Sequence, residues 1–453
     1  MARTRTIHRC ESCDATHAQW AGQCSACGEW NTLVEAVDRP KPSGAAYRGP
    51  ASKAVPLSSV DATEAGARPT WISEFDRVLG GGLVPGSVTL LGGEPGVGKS
   101  TLTLQLLGTV AASGRRGLLV SAEESPQQVQ LRAGRLGVDR DGVWIVAETA
   151  MPAILGAMSE VQPDLLVVDS IQTVFDPEVG SSPGSVTQVR ECAHALVLAA
   201  KASGVATVLV GHVTKEGALA GPRVLEHVVD TVLSFEGDRH HALRLLRASK
   251  HRFGPTGELG LFEMRDEGLI ALEDPAALLL GDRRPELAGS CVVPITEGRR
   301  TLLVEVQALV AATKAPMPRR SAQGIDTGRL AVLLAVLEKR VGFRFFEQDV
   351  YASAVGGVRV NEPAADLGIA MAVASAASGI AIEPEIVACG EIGLGGEVRR
   401  VAQMERRLAE AVRLGFSTAV VPLATPDVPG LRLMRVKDVA DAVRPYRVRP
   451  SDS

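Results

Sequence analysis

The chain has 453 residues, of which 45% are hydrophobic and 22% are charged, and it is long enough for roughly two to four globular domains. Its formal net charge of −4 excludes a global positive field for nucleic acid, so any such contact must come from local basic patches. The basic N-terminus is followed by no apolar run, and the longest nearly uncharged stretch, 367–382, is too short to span a bilayer. These features predict a cytoplasmic protein that makes no membrane contact.

Four of the seven cysteines lie within the first 27 residues, arranged as two C-x₂-C pairs. Two such pairs can place four thiolates around one Zn²⁺ ion, so we predict a C4 zinc finger over residues 1–35. Iron of the rubredoxin type and a redox dithiol are the alternatives. The predicted zinc ligands are Cys10, Cys13, Cys24 and Cys27. The other three cysteines are expected to be small core hydrophobes.

The rest of the chain divides by composition and pattern. A segment rich in Pro, Ala, Ser and Gly at 36–70 is typical of a linker. Over residues 71–272 apolar runs alternate with helical segments, which predicts an α/β core with a mostly parallel sheet covered on both faces. Its predicted strands are 88–91, 118–121, 143–147, 165–169, 207–211, 231–235 and 243–248. A second α/β domain is predicted over 273–453, with strands at 289–294, 301–309 and 387–390 and helices at 328–339 and 363–377.

The segment GEPGVGKS at 93–100 fits the phosphate-binding loop (P-loop) of nucleotide hydrolases. It lies between a predicted strand and a predicted helix, so the helix N-terminus faces the phosphates. Lys99 supplies a positive charge near the β- and γ-phosphates, and Ser100 supplies a hydroxyl for Mg²⁺. We therefore predict that ATP and Mg²⁺ bind through Gly93, Glu94, Pro95, Gly96, Val97, Gly98, Lys99, Ser100 and Thr101.

Two acidic positions can complete this site. The apolar run 165–168 delivers Asp169 to the carboxyl end of a strand beside the loop, where it can hold Mg²⁺ directly or through water. A carboxylate in the segment SAEE at 121–124 can polarise the attacking water, and we favour Glu123 over Glu124 for this role. For either glutamate the alternative is an exposed acid at a helix start.

Two further segments carry a resemblance to a known family. The segment FDRVLGGGLVPGS at 75–87 resembles the lead-in of RecA-type ATPases. The segment KHRFG at 250–254 is similar to the K-N-R-F-G signature of the bacterial RadA/Sms family of DNA repair proteins. The resemblance covers essentially the whole chain, with zinc finger, linker, RecA-like core, signature and tail domain in the family's order. His251 stands where the family usually has Asn.

The resemblance implies a DNA-dependent ATPase of the helicase or translocase type. Its expected task is DNA repair by processing recombination intermediates, with binding of single-stranded and branched DNA and branch migration alongside the RecA recombinase. It also implies a homo-oligomer, expected to be a hexameric ring. Lys250 and Arg252 would then act in trans on a neighbour's γ-phosphate, the alternative being a solvated basic turn. Loops 176–184 and 212–221 would face the DNA, with Lys215 and Arg223 as candidate phosphate contacts.

The tail carries a second resemblance. Segments 361–368 and 390–398 resemble two segments of the Lon protease domain. The family's Ser and Lys positions fall on Asp366 and Glu405, neither of which can supply that chemistry, so we predict a catalytically inactive Lon-protease-like domain over 273–453. An active protease and a KaiC-like switch without DNA are the alternative functions. A cluster of cations is either a duplex-DNA platform or a solvated surface; its members are Lys314, Arg319, Arg320, Arg329, Lys339, Arg340 and Arg344.

Overall fold

The computed structural model describes residues 5–13, 15–17, 19–38, 56, 66–212, 224–237 and 242–446. The described residues divide into two compact units. The first unit comprises those within Met1–Glu236, Arg244–Thr256 and Phe262–Ala271, and the second comprises those within Gly237–Leu243, Gly257–Leu261 and Leu272–Ser453. Among the described residues, none of the helices combines the length and apolar character needed to cross a membrane.

The chain begins with a small antiparallel sheet of order β2-β1-β3, formed by β1 (Arg5–Cys10), β2 (Thr16–His17) and β3 (Leu33–Asp38). β3 runs three residues past the end that we predicted for the zinc finger at residue 35. The difference arises because backbone pairing with β1 continues to the Arg5–Asp38 pair. Composition alone assigned those last residues to the linker.

The largest sheet has nine strands, and most of its residues belong to the first unit. The strands are β4 (Val88–Gly93), β5 (Gly117–Ser121), β6 (Val143–Val146), β7 (Leu165–Asp169), β8 (Ala206–His212), β9 (Thr231–Glu236), β10 (Leu243–His251), β11 (Leu259–Arg265) and β12 (Gly268–Ala271). Their order is β12-β11-β10-β9-β4-β8-β7-β5-β6. The six strands from β9 to β6 in that order are parallel, and β10 is antiparallel to β9. The predicted α/β class and mostly parallel sheet are confirmed.

Helices cover both faces of this sheet. They are α1 (Ser73–Val78), α2 (Lys99–Ala112), α3 (Pro126–Leu136), α4 (Met151–Val161), α5 (Val186–Ser203) and α6 (Val224–Val228). Successive residues of a strand point to opposite faces. Accordingly Leu91 packs in one core with Leu102 of α2, whereas Leu90 packs in the other with Ile154 of α4 and Leu196 of α5. The continuous apolar runs in the sequence reflect this burial on both faces.

The second unit is also α/β. Its elements are α7 (Ala276–Leu280), β13 (Ser290–Glu297), β14 (Arg300–Ala312), β15 (Arg320–Gln323), α8 (Thr327–Val336), β16 (Gln348–Ala354), α9 (Asp366–Ser378), β17 (Ile386–Ala388), β18 (Glu391–Ile392), β19 (Val398–Arg399), α10 (Met404–Arg413), β20 (Thr418–Pro422), β21 (Arg432–Val436) and α11 (Val439–Ala442). A π-helical turn at Leu337–Val341 continues α8. A seven-stranded mixed sheet runs β15-β16-β14-β13-β17-β20-β21, and α9 packs against β13 and β14. The nearly uncharged stretch of the sequence therefore begins in this buried helix.

Candidate functional site

The P-loop connects β4 to α2, and its backbone depends on two glycines. A side chain at Gly93 would bring its Cβ within 2.4 Å of the Phe235 carbonyl oxygen. Gly98 is the N-cap of α2 with φ +113°, and a Cβ there would lie 2.5 Å from Cε of Met264. A larger residue at Gly93 would collide with backbone, and at Gly98 it would be strained by the positive φ. The sequence therefore forms this loop because glycine stands at both positions.

Lys99 is buried at the first turn of α2, with 4% of its surface exposed. Its ammonium donates to the carbonyl oxygens of Gly93 (2.8 Å) and Glu94 (3.0 Å), so the side chain folds back over the loop. Burial lowers the pKa of Lys99, while the carboxylates of Asp169 and Glu123 act in the opposite direction. The structure thus brings Lys99 together with both acids that the sequence singled out.

Asp169 ends β7, and β5 pairs with that strand so that Ser121 lies opposite it. The amide of Ala122 donates to the Asp169 carbonyl oxygen at 2.8 Å, which holds the segment after β5 against the end of β7. Ser100 is half-buried in the first turn of α2. A hydroxyl and a carboxylate are oxygen ligands that suit Mg²⁺, so Ser100 and Asp169 fit a metal ion bound with nucleotide phosphates.

Glu123 and Glu124 have different partners. Ser170, which is buried and follows Asp169 in the chain, donates a hydrogen bond from its hydroxyl to the Glu123 carboxylate. The Glu124 carboxylate instead forms an ion pair with Arg132 of α3. Of the two acids, Glu123 is the one whose charge acts on Lys99. This arrangement favours Glu123 over Glu124 as the group that orients water at the site.

Lys250 lies near the end of β10, far from the P-loop of its own chain. The P-loop residue Gly93 pairs with Phe235, whereas Lys250 pairs with Val232 at the opposite end of β9. The three residues from Val232 to Phe235 correspond to about 10 Å along the strand. The Lys250 ammonium donates to the carbonyl oxygens of Glu226 (2.6 Å) and Val229 (2.7 Å), two residues that precede β9 in the chain. In this conformation it does not reach the site of its own subunit.

The neighbouring signature residues are tied to the same end of the sheet. Arg252 donates to the buried Asp230 carboxylate at 3.1 Å, and Asp230 also accepts from the amide of Val88 at the start of β4. The ring of His251 contacts the hydroxyl of Thr231 at 2.9 Å and the carbonyl oxygen of Leu79 at 3.2 Å. The Leu79 contact requires a proton on Nε2 and leaves Nδ1 to accept from Thr231. Burial lowers the pKa of His251, which favours this neutral form.

The four N-terminal cysteines converge. Their sulfur atoms all lie within 4.8 Å of one another, and the Cys10–Cys27 and Cys13–Cys24 sulfur distances are both 3.6 Å. A tetrahedron of Zn–S bonds of about 2.3 Å has edges of about 3.8 Å, whereas a disulfide requires about 2.05 Å. The hydroxyl of Thr32 lies 3.2 Å from the Cys10 sulfur. The dimensions and donor set therefore fit a tetrahedral metal ion.

The remaining cysteines are core residues. Cys192, Cys291 and Cys389 are each fully buried, and burial raises the pKa of each thiol to about 12. A buried thiol with a raised pKa is a poor nucleophile and a poor metal ligand. Their surroundings agree with the expectation of small core hydrophobes.

Of the two loops expected to face DNA, the structure describes 176–184 in full but only the first residue of 212–221. Lys215 and Arg223 lie outside the residues that the structure describes. Loop 176–184 is described, and Gln188 of α5 organises it. The nitrogen of the buried Gln188 amide lies 2.9–3.0 Å from the carbonyl oxygens of Asp176, Val179 and Ser181, which share its two N–H groups. The amide oxygen accepts from the Asp176 amide at 2.9 Å. No sequence pattern signals this clamp, because Gln188 is one polar residue within an amphipathic helix.

Asp366 and Glu405, the two positions that correspond to the Lon nucleophile and base, differ in burial. Asp366 is fully buried at the start of α9, where Arg329 donates to its carboxylate through two nitrogens, one of them Nε at 2.8 Å. The amide of Ile392 also donates to that carboxylate at 3.1 Å. Glu405 is exposed and lies 3.7 Å from Arg400 in an ion pair. Asp366 is thus a structural anchor, and Arg329 is engaged with it rather than free for a partner.

The basic cluster of the second unit is smaller than the sequence indicated. Besides Arg329, Arg320 is also used internally, because it donates to the backbone oxygens of Phe345 and Gln348. The prediction that these two arginines form part of an open basic surface is therefore wrong. Five cations of the cluster are exposed to solvent: Lys314, Arg319, Lys339, Arg340 and Arg344.

Three family models match parts of the chain. One described as an AAA domain matches residues 54–218, and one described as a rubredoxin metal binding domain matches residues 8–35. A third, described as subunit ChlI of Mg-chelatase, matches residues 336–425. The matches agree with an ATPase core preceded by a four-cysteine zinc site and followed by a separate α/β domain. A KaiC-like protein from Pyrococcus horikoshii OT3 is 21% identical, with a TM-score of 0.39 over 46% of this chain and 99% of its own.

Curated relatives match over nearly the full length. The DNA repair protein RadA of Bacillus subtilis is 46% identical over 98% of this chain and 99% of its own. The RadA protein of Mycobacterium tuberculosis is 46% identical over 100% of this chain and 95% of its own. The RadA protein of Pseudomonas aeruginosa is 47% identical over 98% of this chain and 99% of its own. Identity of this extent, with the P-loop and the cysteine cluster in place, shows the family. The chain belongs to the DNA repair protein RadA family.

Proposed function

We propose that the protein is a DNA-dependent ATPase that moves on single-stranded and branched DNA and processes recombination intermediates. The observation that carries this proposal is that Lys99 folds over the P-loop while Asp169 and Glu123 are held together at the neighbouring strand ends. Bound Mg²⁺ would neutralise charge on the nucleotide phosphates. The roles of the chain are then to cradle the phosphates, to hold the metal through Ser100 and Asp169, and to orient water through Glu123.

The second part of the proposal concerns the neighbour in a homo-oligomer, which we propose to be a hexameric ring. Lys250 and Arg252 lie at the end of the sheet away from their own P-loop, so they are available to a phosphate site of another subunit rather than to their own. Their present partners are two backbone carbonyl groups and Asp230, which they would exchange for phosphate oxygens. The oligomer would then hydrolyse ATP at the contacts between its subunits.

We further propose that DNA is contacted by loop 176–184 and by the five exposed cations of the second unit. Phosphate neutralisation by such cations gives sequence-independent binding that weakens with salt. Branch migration alongside a RecA recombinase is the cellular task that fits an ATPase with these surfaces. We expect the second unit to have no peptidase activity, because Asp366 is paired with Arg329 and Glu405 is exposed.

The proposal is tested by ATP hydrolysis rates of the purified protein, alone and with single-stranded or branched DNA. We expect DNA to stimulate the rate, Lys99→Ala to abolish hydrolysis, and Lys201→Ala, a change at an exposed lysine of α5, to have no effect. A rate that neither DNA form changes would contradict the DNA-dependent part. Casein incubated with the protein and ATP should remain intact.

A further inference from the structure

Arg244 is a buried cation beside the P-loop that no sequence motif identified. It lies on β10 with 5% of its surface exposed. Its Nε donates to the carbonyl oxygen of Val97 at 3.0 Å, across 147 residues of sequence. Val97 is buried and immediately precedes Gly98, the N-cap of α2. A guanidinium from another strand is therefore bonded to a peptide group of the phosphate-binding loop itself.

The direction of that carbonyl group fixes the direction of the next amide. The Val97–Gly98 peptide is planar and trans, so its C=O and its N–H point in opposite directions. When Arg244 holds the oxygen, the Gly98 N–H must point away from Arg244. Backbone N–H groups of this loop are the donors that cradle nucleotide phosphates. One hydrogen bond to Val97 therefore controls the orientation of one phosphate donor.

The opposite orientation is accessible to this peptide, because glycine tolerates φ values of either sign. Rotation of the peptide plane would turn the Val97 oxygen towards the phosphates and would repel them. It would also turn the Gly98 N–H away from the phosphates, so the loop would lose one of its donors. The bond from Arg244 favours the orientation that binds phosphate.

We propose that Arg244 is a positioning residue that locks the Val97–Gly98 peptide in its phosphate-binding orientation. The proposal rests on nucleotide binding at the P-loop. Its specific content is that a donor at the Nε position matters, rather than a positive charge or a filled volume. Binding of ADP, whose phosphates the loop would hold, is the property that should respond.

Two substitutions of equal length separate these possibilities. In Arg244→Gln the side-chain Nε2 stands at the same distance along the side chain as the arginine Nε and can donate. In Arg244→Met an apolar methyl group occupies that place. Arg247→Met is a matched control, since Arg247 lies on the same strand but is 3.8 Å from Glu236 in an ion pair. Titration calorimetry with ADP and Mg²⁺ measures the Kd of each protein.

We expect Arg244→Met to weaken ADP binding about tenfold or more, Arg244→Gln to stay within about threefold of wild type, and Arg247→Met to match it. Wild-type affinity in Arg244→Met would overturn the positioning role, and so would an Arg244→Gln variant that loses tenfold. If Arg244→Met does not fold, Arg244→Leu, which likewise lacks a donor, takes its place with the same limit. Wild-type protein that does not bind ADP would instead overturn nucleotide binding at the P-loop.

Discussion

Glu123 and Glu124 are neighbours in the sequence, but in the fold their carboxylates have different partners. Glu123 accepts a hydrogen bond from Ser170 and acts on Lys99, whereas Glu124 pairs with Arg132. Sequence reasoning could identify the acidic pair after β5 but had little basis for choosing between its members. The partners that separate them come from β7 and α3, and contacts between elements are not encoded in local spacing.

This difference predicts unequal effects of two isosteric substitutions. Glu123→Gln should lower kcat for ATP about 10²–10⁴-fold and leave ATP binding near wild type, because an amide cannot take up a proton from the attacking water. The matched change Glu124→Gln removes only a partly exposed ion pair and should alter kcat less than about threefold. Steady-state ATPase assays and calorimetric ATP binding measure both. Equal losses of kcat in the two variants would contradict the assignment.

His251 predicts a pH-dependent stability. Burial lowers its pKa below the ordinary value of 6.5, so the unfolded chain binds the proton more tightly than the folded protein does. Stability from this group is therefore present above pH 6.5 and is lost as the pH falls from there through the lowered pKa. Protonation would also remove the acceptor that Nδ1 offers to Thr231.

The test compares wild type with His251→Asn, which carries an amide that does not titrate. The free energy of unfolding, measured by denaturant at about pH 7.5 and about pH 5.5, should fall more steeply in wild type than in the variant. Other titrating groups are common to both proteins, so the difference between the two slopes belongs to His251. Identical slopes would show that His251 binds a proton equally well in the folded and unfolded chain.

Among the elements, the strands of the sheet were the most predictable from sequence. The runs that became β4, β5, β7 and β8 are nearly all apolar, because these inner strands are buried on both faces. The strands β11 and β12 were not predicted. The end of β3 and the clamps by Gln188 and Arg244 were not predictable. Each depends on partners supplied by the fold: pairing with β1, the carbonyl groups of a loop, and a peptide 147 residues away. A polar side chain in the sequence carries no record of such a partner.

Loop 176–184 predicts a local effect of one substitution in α5. Gln188→Leu removes the polar contacts with four backbone groups of the loop and should cost about 1–3 kcal/mol of stability. Amide hydrogen exchange within 176–184 should become faster. Gln105→Leu is the matched control, since the Gln105 side chain bonds to the backbone of Leu269 and not to this loop. Unchanged exchange of the loop in Gln188→Leu would mean that other contacts hold it.

For the whole molecule, the central feature is the separation of the P-loop from Lys250 and Arg252 along the sheet. The P-loop follows the carboxyl end of β4, and the two cations lie beside the amino end of β9. The family resemblance implied that these cations act on a neighbour's nucleotide, and the strand register separates them from their own P-loop. The proposal that a neighbouring subunit completes each site depends on this register.

The most direct measurement is a complementation assay that mixes Lys99→Ala subunits with Arg252→Ala subunits, in the presence of single-stranded DNA. If Arg252 acts in trans, an Arg252→Ala subunit keeps an intact P-loop and can receive Arg252 from a Lys99→Ala neighbour. Random mixing at equal ratio should then recover about one quarter of the wild-type ATPase rate, although each variant alone is inactive. Lys99→Ala mixed with the Lys99→Ala, Arg252→Ala double variant should remain inactive. A mixture no more active than its separate components would contradict a site shared between subunits.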